Sequence, residues 1–214
     1  MKKFLSVVLV VMMLASLSVC AFADVVPSIE GKDVPAYDAE GIEVDGVDEG
    51  VEIFVVLTGL NDDPGEDASE AEKTAFNFKK DAMKKAIEIV TDQNALVDAV
   101  KNAVKVESSH EPATDVIDTS EDATPIVSDV FYVEAFYVAD NSPAFAFDYV
   151  EGENPTVKAR VKVELPEHLM KVLQLIGDTW IEVPVVLNDK GEPVLEFCYA
   201  GPVIFVVNAN AENG

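Results

Sequence analysis

Thr156-Val157-Lys158-Ala159-Arg160-Val161-Lys162-Val163-Glu164-Leu165 alternates apolar and charged side chains over ten residues. Side chains of a strand point to opposite faces in turn, so this stretch predicts a half-buried strand, with Val157, Ala159, Val161, Val163 and Leu165 inward and Lys158, Arg160, Lys162 and Glu164 toward water. A one-residue slip would bury the charges together, which fixes the register.

The same period continues on both sides. Val130–Val138 is an aromatic-rich strand and Ala144–Val150 another. Val172–Ile176, Gly177-Asp178 and Trp180–Leu187 read as a tight hairpin. Asn188-Asp189-Lys190-Gly191 supplies a second turn, and Leu195–Tyr199 and Val203–Val207 close the set. Seven short strands separated by turns predict an antiparallel sandwich over residues 127–208, followed by a tail at 209–214.

Upstream the period changes. Val51–Leu57 is an apolar, β-branched strand, ended by the turn residues Asn61-Asp62-Asp63-Pro64-Gly65. Ser69 and Glu72 have capping-box spacing, and Phe76, Met83, Ile87 and Val90 then recur on one helical face, predicting a helix from Glu70 to Val90. Thr91-Asp92 breaks it. Leu96, Val100, Ala103 and Val104 predict a second helix over 93–104, so the pair forms a helical hairpin. Residues 24–50 read as an acidic extended arm or irregular strands, and Glu107–Pro125 as a polar loop or linker. The expected organisation is α+β, with the helices and strand in 24–126 ahead of the sandwich.

The chain begins with Met1-Lys2-Lys3, an uncharged run from Phe4, and Ala21-Phe22-Ala23, the pattern of a secretory signal peptide over 1–23 with cleavage between Ala23 and Asp24. Two other readings stay open. Phe4–Ala23 is long enough for an uncleaved anchor. Leu17-Ser18-Val19-Cys20 resembles a lipoprotein cleavage site with Cys20 lipidated, although Val19 stands where that site takes a small residue. No second apolar run of about 20 residues follows, so no membrane span is expected once the signal is removed.

The 214 residues hold 15 Lys+Arg and 40 Asp+Glu, a net charge of −25. Removing residues 1–23 takes away Lys2 and Lys3 and no acid. Such a chain repels phosphate backbones, which argues against nucleic acid as a partner. The seven lysines between Lys73 and Val106 are balanced by four acids in that segment, and read as internal compensation or as a docking face for an acidic partner. Two Cys and two His exclude a disulfide scaffold and a His- or Cys-based multi-ligand zinc site. Cys198, the one thiol left after processing, reads as an inert sheet thiol or as a site of intermolecular disulfide formation.

Catalytic patterns are sparse. Ser108-Ser109-His110-Glu111 has triad residue types, but as neighbours, which cannot easily form the nucleophile–base–orienter line. His168 sits in a surface turn. A carboxylate pair of glycosidase type cannot be chosen among 40 acids. Calcium is the metal whose oxygen ligands the chain supplies. Its candidate ligands are Asp62, Asp63 and Asp67, and a second candidate loop is Asp45-Gly46-Val47-Asp48-Glu49, but neither follows the EF-hand pattern. Trp180 is a candidate sugar-stacking platform or a lid on the sandwich core.

Residues 127–208 resemble the immunoglobulin-like β modules at the C-terminal end of secreted and surface proteins of Gram-positive bacteria. The resemblance rests on the strand Thr156–Leu165, the hairpin carrying Asp178-Thr179-Trp180-Ile181-Glu182-Val183, and the closing strand Ala200-Gly201-Pro202-Val203-Ile204-Phe205-Val206-Val207. It implies an extracellular location and an immunoglobulin-like sandwich, and it carries no catalytic residue. The expectation is a secreted, non-catalytic binding or structural module, possessing no resident cofactor, whose partner is an extracellular protein or glycan. The alternatives are a secreted carboxylate-dependent, glycosidase-like hydrolase and a lipid-anchored component of a surface complex.

Overall fold

A computed structural model describes residues 35–38, 42–46, 53–139, 142–145, 147 and 157–210. The expected signal peptide with its cleavage site and Cys20, Val47 to Glu49 of the second calcium candidate, and Asp148–Val150 of an expected strand lie outside these residues.

In chain order the elements are β1 (Glu43–Asp45), β2 (Ile53–Gly59), α1 (Glu70–Val90), α2 (Gln93–Asn102), β3 (Val104–Lys105), a 3₁₀ turn (Thr114–Val116), β4 (Pro125–Ala139), β5 (Ser142–Phe145), β6 (Lys158–Val161), β7 (Leu169–Ile176), β8 (Thr179–Glu182), β9 (Val185–Leu187), β10 (Pro193–Phe197) and β11 (Gly201–Asn208). They form an α+β molecule with two mostly antiparallel sheets. The larger sheet has the order β2-β4-β11-β7-β8-β3, with β5 on β4, and the smaller one β1-β6-β10-β9. Only the β3–β8 pair is parallel among the described ladders. Elements from both sides of position 126 share the sheets: β1 pairs β6 and β2 pairs β4.

The larger sheet is buried on both faces. Phe131, Val133, Val203 and Phe205 turn toward Ala159, Val161, Leu195 and Phe197 of the smaller sheet. Their alternate neighbours Val130, Tyr132, Ile204 and Val206 meet Met83 and Val90 of α1 and Leu96 and Ala99 of α2. This double burial explains why the whole of β11 is buried and why Pro202–Val207 reads as an unbroken apolar run. Phe131 sits edge-on to Phe205 at 5.3 Å and to Phe197 at 6.5 Å between centroids, the arrangement favoured by aromatic quadrupoles.

Local signals hold where the sequence specifies them strongly. Ser69 caps α1 through both capping-box bonds, Asp92 caps α2, and α1 spans the expected Glu70–Val90. The Gly177-Asp178 turn joins β7 to β8, with Gly177 at φ +61°, where a side chain would strain the backbone.

Four expectations are corrected. The second helix ends at Asn102, and Val104, expected on its apolar stripe, lies in β3 and is 54% exposed. The stretch Trp180–Leu187 is not one strand: it crosses between the sheets at Val183-Pro184, giving β8 to one and β9 to the other. Glu107–Pro125 is no free linker, because Pro112 bridges Val186, and Glu111 and Ala113 exchange backbone hydrogen bonds with Leu187 and Val185. The ladder at 156–165 shortens to Lys158–Val161, and Arg160, expected in water, is 6% exposed. Its inward face is as expected: Ala159, Val161 and Val163 are buried while Lys162 and Glu164 are exposed.

Candidate functional site

The burial of Arg160 marks a polar cluster on the smaller sheet. Alternation along β6 and β10 sends Ala159, Val161, Leu195 and Phe197 into the inter-sheet core, so Lys158, Arg160 and Glu196 stand on the outer face of the smaller sheet. Register then sets Glu43 of β1 and Glu196 of β10 on either side of Arg160, and Asp45 opposite Lys158. Opposite charges directly across a ladder are a stabilising arrangement.

Arg160 donates from Nε to Glu43 at 3.0 Å, and from one terminal nitrogen to Asp45 and to His110 Nε2, the latter at 2.8 Å. Burial works against its charge, but Glu43 and Asp45 outweigh that and hold its pKa above the ordinary value. His110 arrives on the strap of residues 106–113. Because a guanidinium only donates, His110 Nε2 accepts, and Nδ1 carries the hydrogen donated to Glu196 Oε2 at 3.0 Å. Glu196, with its side chain 1% exposed, also accepts from Lys158 Nζ at 3.2 Å, and Lys158 reaches the Glu107 carbonyl at 2.6 Å.

Asp45, His110 and Glu196 offer three ligand atoms within 4.8 Å of one another, a donor set of metal-binding type. The guanidinium of Arg160 already bonds two of them, and the Lys158 ammonium bonds the third. The chain thus supplies its own cations to these groups, and both nitrogens of His110 are engaged. This leaves the imidazole no free lone pair with which to act as a general base.

The sequence-derived candidates lie elsewhere. Asp62 Oδ2 accepts from the Gly59 amide at 2.7 Å and Asp63 Oδ1 from the Gly65 amide at 2.9 Å, so both cap their own turn, while Asp67 is exposed. Trp180 is half-buried against the helix–sheet layer. Cys198 is buried, and burial pushes its thiol up to about 12, far from a reactive thiolate. Lys79 of α1 donates to Glu134 of β4 beneath the helix, and burial lowers its pKa to about 8. Ser108 Oγ accepts from the His110 backbone N–H at 3.1 Å, a local turn contact and not a triad.

A cleft of about 320 Å³ opens beside the cluster. It is lined by Lys105 of β3, the strap, the 3₁₀ turn, the start of β7 and the β8–β9 crossing. Polar residues on it are Lys105, Ser108, His110, Thr114, Lys171 and Glu182. Among the described residues no helix is long and apolar enough to cross a membrane.

The network itself escaped the sequence reading. One signal for it was present: Glu196 is a lone charge in the apolar stretch Leu195–Tyr199, as Glu134 is in Phe131–Phe136. Both are buried and both have cationic partners. Comparison of the chain with protein-family models, with curated proteins and with solved structures finds no match in any of the three.

Proposed function

We propose that this protein is a secreted, non-catalytic binding or structural module acting outside the cell, with residues 127–208 as its immunoglobulin-like part and the helical pair as an added covering layer. The observation that carries the reading is the satisfied state of the cluster: Glu43, Asp45 and Glu196 face Arg160 and Lys158, and His110 is held at both nitrogens. Such a network braces the strap against β1, β6 and β10 and leaves no group poised for bond making. The glycosidase-like alternative would need two accessible carboxylates flanking a substrate bond. Here Asp45 is bound to Arg160, and Glu196 is closed off under His110 and Lys158. Location rests on Ala21-Phe22-Ala23 and the apolar run before it.

Two measurements test this. In a Gram-positive host, the exported protein should have an intact mass beginning at Asp24. A diacylated Cys20 would place it on the membrane surface as a lipid-anchored component, and retention in the cell would overturn the extracellular reading. Incubation with peptidoglycan and with chromogenic glycosides should give no turnover. Turnover abolished by Asp45→Asn or Glu196→Gln would establish the hydrolase instead.

A further inference from the structure

We propose that the cleft between the strap and the β8–β9 crossing binds a small organic monoanion, a carboxylate with a short apolar chain. This deepens the binding reading above and rests on it.

The charge balance of the cleft runs against that of the chain. Acids outnumber bases 40 to 15 overall, yet the cleft is lined by two lysines and one glutamate. Glu182 is taken by Lys171 at 2.6 Å, which neutralises both. Lys105 lies in register beside Glu182 on the neighbouring strand, and among the described residues its ammonium has no ion-pair or hydrogen-bond partner. The Ser108 oxygen accepts from the His110 amide, so its own hydrogen remains to be donated, and Thr114 adds a second hydroxyl. The lining therefore offers an ammonium and two hydroxyl donors, with its only carboxylate already paired. That set fits an anion and rejects a cation.

One free ammonium suits a single negative charge better than a phosphate dianion. The half-buried Ile117, Met170 and Val185 give an apolar wall for the rest of the ligand. A volume of about 320 Å³ is at the small end of ligand sites, which limits the ligand to a compact molecule. The acids next to these residues in sequence, Glu107, Glu111, Asp115 and Asp118, are not among those lining the cleft, and exposed charges more than about 8–10 Å away are largely screened at physiological salt.

The test is a titration of the full exported chain with hexanoate, followed by backbone amide shifts. Saturable shifts should centre on Val106, Ser108, Thr114 and Val183. Hexanoate should bind about tenfold more tightly than uncharged hexanamide, as for one charge-assisted hydrogen bond. Lys105→Gln should abolish that ratio, and Lys101→Gln, on the exposed side of α2, should keep it. Lys105 is exposed, so its variant folds, and an unchanged thermal midpoint verifies that. Equal binding of hexanoate and hexanamide, no effect of Lys105→Gln, or shifts that never saturate would each overturn the inference. Such a failure is separable from failure of the wider reading, which the export and turnover measurements decide without any ligand.

Discussion

The two sheets meet the same requirement on their outer faces in different ways. The larger sheet carries Val130, Tyr132, Leu173, Ile204 and Val206 outward and covers them with α1 and α2, an apolar layer that holds the buried ion pair Lys79–Glu134. The smaller sheet carries Lys158, Arg160 and Glu196 outward and closes them with β1 carboxylates and His110 from the strap. Apolar covering tolerates small errors of position, because dispersion and hydration act without direction. Ionic covering does not, since each buried charge needs its partner at hydrogen-bond distance. The helical layer is therefore a matter of stability, while the ionic face fixes where the strap, and with it the cleft, is placed.

The largest expected effect belongs to the layer the two sheets share. Phe131→Ala removes a fully buried ring that touches Phe197 and Phe205, and should lower the unfolding free energy by about 3–5 kcal/mol. Val161→Ala, also fully buried, should cost roughly 1–3 kcal/mol. Chemical denaturation measures both, and a smaller effect for Phe131 than for Val161 would break the account of the aromatic centre.

The ionic face is tested by two cations two residues apart. Arg160→Ala leaves Glu43 and His110 without their donor and should cost about 2–3 kcal/mol, below the 3–5 kcal/mol of a fully buried pair because Asp45 remains half-exposed. Lys162→Ala breaks only the exposed pair with Glu192 and should cost about 0.5 kcal/mol or less. Equal effects at the two positions would mean that the outer face is ordinary solvated surface.

Lys79 sharpens the comparison from the other side, as a charge inside the apolar layer. Its pKa is about 8 when folded, against an ordinary value of 10.5. Between these pH values the unfolded chain binds more protons than the folded one, so this group makes stability rise with pH. Below pH 8 both states hold the proton and the cost of burial stays in full. Denaturation at pH 7.5 and 9.5 should therefore show wild type gaining on Lys79→Gln, by at most about 1.4 kcal/mol per pH unit. Cys198, whose thiol is raised, acts in the opposite sense above pH 9, but it does so in both proteins and cancels in the difference.

The smallest effect is expected where no face is covered. Asp118 is held down to about 2 by bonds from Ser120, Asn208 and the Ser120 amide. A depressed carboxyl contributes stability above its unfolded pKa and loses it as pH falls through the folded one. The thermal midpoint of wild type should consequently fall slightly more than that of Asp118→Asn between pH 4 and 2. Parallel curves would show that these bonds do not favour the ionised form.

Much of the fold was legible because its signals are short-range. Ser69 and Glu72 are three residues apart, Gly177-Asp178 is a contiguous turn, and the apolar stripe of α1 repeats within a few turns. The ends of elements were less legible. Val104 matches the α2 stripe, but the chain leaves the helix at Ala103 to pair with β8, and a ladder bond with Ile181 outweighs one more helical residue. The crossing at Val183-Pro184 was hidden because which sheet receives β8 and which receives β9 depends on partners elsewhere in the chain.

By itself the sequence determined the α+β composition, the capped helical pair, the turns, and which side of each strand is apolar, because periodicity and turn chemistry are local. Tertiary structure alone decided that Arg160 is buried and that His110 meets it. Those contacts join residues 50 to 117 positions apart, and no local pattern encodes a register between strands so distant. An alternating strand reads the same whether its polar face meets water or a matched set of charges, and only the assembled partners distinguish the two.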